Sequence, residues 1–154
     1  MTVFLDIRRV NTAPLLGRTT LRALCHKTIR AIAPGLRHLA VSVAWVDRRR
    51  MRQANERYRK QPGPTDVLSF TYRQPGSGAP SDLNGEILLC PSVVRERAAG
   101  RGLTARRYAE WLFVHAVLHL LGHNHRHAHD RQRMERSESR ILGEHFWGSS
   151  SFGS

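Results

Sequence analysis

The sequence predicts one α+β domain spanning residues 1–154, a four-stranded mixed sheet with about five helices, with a metal site on a central helix and the turn after it. Three observations lead there. Segments with apolar residues at alternate positions are interspersed with segments whose apolar residues recur every three or four. The helical segments are partly clustered instead of strictly alternating with strands, which favours α+β. The length suits one hydrophobic core, and no internal repeat divides it.

Residues 2–9 set Val3, Leu5 and Ile7 against Phe4, Asp6 and Arg8, an imperfect strand alternation. Residues 15–33 carry Leu21, Leu24, Cys25, Thr28, Ile29 and Ile32 at helical spacing, and Pro34-Gly35 stops the helix. Residues 38–46 alternate through Val41, Val43 and Trp45, a second strand. Asp47 is suited to cap a short helix over 48–59. Its arginines, Arg48, Arg49, Arg50, Arg52, Arg57 and Arg59, form either a solvated face or a phosphate-facing one. Two prolines and a glycine make 60–64 a loop. Residues 65–72 read as a third strand, 74–82 as a hairpin loop rich in Gly, Ser and Pro, and 85–90 as a fourth strand. Pro91 fits the first turn of a helix over 92–99, which Gly100-Arg101-Gly102 breaks. Thr104 caps a long helix over 105–121. A last amphipathic helix over 130–146 places Met134, Ile141, Leu142 and Phe146 on one side.

Composition narrows the function classes. Twenty-five Lys and Arg against twelve Asp and Glu give a formal charge of +13, and Lys27 and Lys60 are the only lysines. Arginine's planar fork suits phosphate, so a polyanionic partner is expected; arginine usage across a whole genome gives the same count without a site. No apolar run approaches the roughly 20 residues of a membrane span. The N-terminus reads as a strand, not an export signal, so the expected location is cytoplasmic. Cys25 and Cys90, far apart in apolar segments, read as buried reduced thiols.

The chemistry concentrates at His115-x-x-x-His119-x-x-Gly122-x-x-His125. Residues i and i+4 share a helix face, so His115 and His119 can converge, and a turn at Gly122 can bring His125 round. Three neutral imidazoles suit zinc and leave a fourth position open, as in catalytic sites. The same spacing occurs in metzincin proteases, which place a general-base Glu after the first His; here Ala116 stands there, so protease chemistry is not supported. His123, His127 and His129 complete a histidine-rich tract; a fourth ligand from His123 or His129 would make the site closed and structural.

Taken with Thr65-Asp66-Val67-Leu68-Ser69-Phe70 and Asn84-Gly85-Glu86-Ile87, the histidine segment resembles the YbeY endoribonuclease family. The family's Gly after the first His is Ala116 here, and its Tyr-Asp before the last His is His123-Asn124. Losing that Asp removes a carboxylate that can orient a ligand. The resemblance implies a zinc-dependent single-strand endoribonuclease that matures the 3′ end of small-subunit ribosomal RNA and serves ribosome quality control. Its implied partners are single-stranded RNA, ribosomal RNA and the small ribosomal subunit, with no membrane. It implies about one Zn2+ per chain on His115, His119 and His125. Arg59 and His115 are the implied catalytic residues, and Arg48, Arg49, Arg52, Arg57 and Arg59 would line the RNA path. Asp66 and Glu86 are either functional carboxylates or structural ones that cap a turn or pair with Arg. The competing readings are a non-catalytic zinc-containing RNA- or ribosome-binding factor and a zinc metalloprotease.

Overall fold

The computed structural model describes residues 1–72 and 82–143; of the loop expected over 74–82, residues 74–81 lie outside them, as does Phe146, while Asp82 already opens a strand. Four strands, β1 (Thr2–Val10), β2 (His38–Val46), β3 (Val67–Thr71) and β4 (Asp82–Leu89), form one sheet in the order β1-β2-β4-β3. β1 runs parallel to β2 and β2 to β4, while β3 is antiparallel to β4, so the sheet is mixed as expected. The helices are α1 (Arg18–Ile32), α2 (Arg48–Ala54), α3 (Pro91–Gly100), α4 (Ala105–Leu120) and α5 (Ala128–Leu142).

The apolar stripes of α1 (Leu21, Cys25, Ile29) and α4 (Leu112, Phe113, Ala116, Val117, Leu120) join Val41, Val43, Trp45, Ile87 and Leu89 of the sheet in the main core. α5 lays Met134 and Ile141 over Val114 and Leu118 on the other side of α4. A smaller cluster, Met51, Ala54, Leu68, Leu88 and Val93, joins α2 to β3 and β4. α4 is therefore enclosed on several sides, and its histidines are held on a rigid element. Gly85 permits this: a Cβ there would lie 2.6 Å from Leu120 Cδ2 and 3.0 Å from the Phe70 carbonyl oxygen. The free edge of the sheet at β1 is also managed. The carbonyls of Val3 and Leu5 accept from Arg22 and Arg18 at 2.8 and 2.7 Å, which occupies groups that would otherwise template edge pairing.

Several boundaries move. α1 starts at Arg18 and not at residue 15 because Gly17 is still extended, with Leu16 buried before it. β3 starts at Val67 because the Asp66 carboxylate takes the Val67 N–H. α5 stops at Leu142, where Gly143 turns to φ +98°. The helix expected over 48–59 begins as read, with Asp47 accepting from Arg50 N–H at 2.9 Å. It then widens after Ala54 into a π-helical turn, Asn55–Arg59, ended by Lys60 at φ +57°. The Asn55 amide, buried, donates to the Gly63 carbonyl at 2.9 Å and ties the turn to the following loop. π-turns recur where a helix must re-aim side chains at a site.

Candidate metal centre

α4 holds His115 and His119 one turn apart, and their Nε2 atoms face each other at 3.1 Å. Each ring is oriented through its other nitrogen. His115 Nδ1–H donates to Glu138 Oε1 at 2.7 Å, and His119 Nδ1–H donates to the His123 carbonyl at 3.0 Å. Both Nε2 lone pairs are thereby left pointing at one place. The helix ends in a Schellman turn: Gly122 N–H bonds the His119 carbonyl and His123 N–H the Leu118 carbonyl, both at 3.0 Å, with Gly122 at φ +97°. The reversal brings His125 to the pair, and one ligand atom from each of the three histidines lies within 4.8 Å of the others.

The donor set fits a metal ion. Two nitrogens bound to a tetrahedral zinc at about 2.0–2.1 Å stand roughly 3.3–3.4 Å apart, close to the 3.1 Å between the Nε2 atoms of His115 and His119. Burial, the facing His115 and His125 rings and nearby Arg59 push the His119 pKa down to about 4, so at neutral pH its lone pair is free for a cation. Among the described residues, His115, His119 and His125 form the one such cluster. His123 turns its ring away, toward Arg133 and the end of α1, and its buried Nδ1 has no partner. His129 pairs with Asp130 at 3.2 Å, and His127 is the residue preceding α5.

The cluster lies in a cleft of about 390 Å³ between α4 and β3, lined also by Arg59, Thr65, Ser69, Arg97 and Trp111. Of the five arginines expected to contact RNA, Arg59 alone lines this cleft; Arg48 instead pairs with Glu96 at 2.9 Å. Arg57 lies over the Tyr58 ring, 5.3 Å from its centroid, and Arg49 and Arg52 are exposed on α2. Asp66 reaches the cleft wall, but its carboxylate is buried and bound by Arg97 and the Tyr108 hydroxyl at 2.9 and 2.7 Å. Glu86 accepts from the Tyr72 hydroxyl at 2.6 Å. Both carboxylates are thus in structural contacts.

A family model described as endoribonuclease YbeY matches residues 11–145. The chain belongs to the YbeY family. A YbeY endoribonuclease of Cutibacterium acnes is 41% identical over 107 residues, covering 66% of this chain and 69% of the relative. One from Methylococcus capsulatus is 37% identical over 105 residues, covering 68% and 69%. The solution structure of TM1509 from Thermotoga maritima shares the fold at a TM-score of 0.58 and 22% identity, over 98% of this chain and 99% of that one. No helix among the described residues is long and apolar enough to cross a membrane.

Three residues of this YbeY site were not singled out by the sequence reading: Glu138, Arg97 and, as a neighbour of the histidines, Trp111. Trp111 stacks on Tyr108 and stands 4.8 Å from the His115 ring, and its Nε1–H donates to Glu138 Oε2 at 2.8 Å. Glu138 did leave a signal. It is an acidic residue four after Met134 and three before Ile141, on the stripe that α5 buries.

Proposed function

We propose that this chain is a zinc-dependent endoribonuclease that cuts single-stranded RNA, with His115, His119 and His125 holding about one zinc per chain. The observation that carries the reading is the three-histidine cluster open to a cleft that Arg59 also lines, with no fourth protein ligand among the described residues. Bound there, zinc supplies a Lewis acid and lowers the pKa of a coordinated water. Glu138 and the His123 carbonyl fix the tautomers of His115 and His119 through their Nδ1–H bonds. His115, whose ring meets those of Trp111, His119 and His125, is with Arg59 one of the two residues we propose as catalytic. The Arg59 guanidinium binds the phosphate and offsets charge that builds during cleavage. Arg49, Arg52 and Arg57 flank the path and add salt-dependent, largely sequence-independent attraction; Arg48, held by Glu96, contributes least.

The family membership supports RNA as the substrate, and the descriptions of the relatives name an endoribonuclease. We further propose that the reaction serves cytoplasmic maturation of the small-subunit ribosomal RNA 3′ end and ribosome quality control. Metal analysis alongside cleavage of a labelled single strand tests the reading. The wild-type chain should carry about one zinc and cut the strand in a chelator-sensitive way, and His119→Ala should lose both. Arg59→Ala should keep its zinc and lose at least ten-fold in cleavage. Stoichiometric zinc with no cleavage would instead leave a non-catalytic RNA-binding factor, and digestion of casein would revive the protease.

A further inference from the structure

Beside the histidine cleft, three aromatic rings gather on the side of the sheet covered by α2. Phe70 lies on β3, and Tyr72, one residue past its end, still donates its N–H to the Asn84 carbonyl at 2.9 Å, so the two continue the strand alternation and share a face. Tyr58, on the π-helical turn, meets Phe70 edge to face with ring centroids 5.2 Å apart. Tyr58 and Tyr72 are 58% and 59% exposed, among the few large apolar or aromatic side chains that face solvent in the described residues. Neither ring is there to fill the core. Tyr72 is nonetheless held in place by its hydroxyl bond to Glu86. Tyr58 sits between Arg57, whose guanidinium lies over its ring, and Arg59, which lines the cleft.

Cations that take phosphates, alternating with aromatic faces that take bases, are what an unpaired strand needs. Every base has a π-face, so stacking tolerates sequence, whereas a duplex keeps its bases inside. We propose that Tyr58, Phe70 and Tyr72 form a base-stacking subsite for one or two unpaired nucleotides adjoining the phosphate at Arg59. The proposal rests on the RNA-cleaving reading above and deepens it: the subsite selects single strands and positions them for cutting. β3 is the edge strand of the sheet, and Tyr58 is the chain neighbour of Arg59 in the cleft, so a strand leaving the cleft has a short path over that edge to the rings on the α2 face.

The test uses the full chain with its metal and a 2′-O-methyl RNA strand carrying the fluorescent base 2-aminopurine at successive positions. At one or two positions fluorescence should be quenched on binding. Tyr58→Leu, which keeps apolar bulk but removes the π-face, should abolish that quench and weaken binding about ten-fold. On cleavable RNA it should raise KM far more than it lowers kcat. Tyr58→Trp should restore both, and Tyr72→Leu should act in the same direction. Zinc content should not change in any of them. Equal affinity for intact strands and for strands with abasic positions, or unchanged binding by Tyr58→Leu, would overturn the subsite. Cleavage without quenching would remove the subsite alone, and quenching without cleavage would remove the catalytic reading while leaving the subsite.

Discussion

Both oxygens of the Glu138 carboxylate are engaged, one by His115 and one by Trp111, in a side chain only 5% exposed. A buried carboxylate that accepts two N–H donors fixes the His115 tautomer and the orientation of its ring. Glu138→Gln keeps the shape but turns an N–H2 toward one of those donors. Metal affinity is expected to fall about 10–100-fold with the fold retained, measured by competition against a chelator. Unchanged affinity would reduce Glu138 to a packing residue of α5. The three histidines were legible because their convergence follows from helix spacing within eleven residues of chain. Glu138 was not, because only the docking of α5 across α4 brings position 138 to position 115. The departures at 123 and 124 also look different in three dimensions. His119 is held by the main-chain carbonyl of residue 123, which any residue supplies, and Asn124 accepts from Arg126 N–H in a local turn.

Among the elements, α4 depends on two glycines for opposite reasons, and substituting each should separate stability from metal binding. Gly122 must adopt φ +97°, with no neighbour crowding it. Gly122→Ala should cost about 1–2 kcal/mol through backbone strain and, by disturbing the turn to His125, lower metal affinity as well. Gly85 has an ordinary φ but no room. Gly85→Ala should cost about 1–3 kcal/mol by pressing on Leu120 while leaving the histidine geometry nearly intact. Denaturant midpoints paired with metal titrations on both variants check this; equal loss of affinity would contradict the division. The helix stop at Gly122 could be read from the sequence because glycine at that place has a local cause. The π-helical turn could not. It arises from the Asn55 bond to Gly63 across the loop, and no periodicity of apolar residues announces it.

At the scale of the whole molecule, net charge is a coarse guide. Arg18 and Arg22 bond the β1 edge, Arg48 pairs with Glu96 and Arg97 with Asp66. Counting positive charges therefore overstates the surface offered to a polyanion. The strands themselves were legible from alternation, but the order β1-β2-β4-β3 was not, because pairing partners far apart in sequence leave no local trace. The same contrast between near and far has a kinetic consequence at the metal centre. The three imidazoles need only one helix and its turn to assemble, a short closure with little entropic cost. Glu138, Arg59 and the β3 wall of the cleft wait for long-range docking, which forms more slowly. Refolding in zinc with a metal indicator should therefore show uptake ahead of the recovery of tryptophan fluorescence; coincident phases would contradict it. A newly made chain would then hold its metal before it holds the arginine proposed to receive a phosphate.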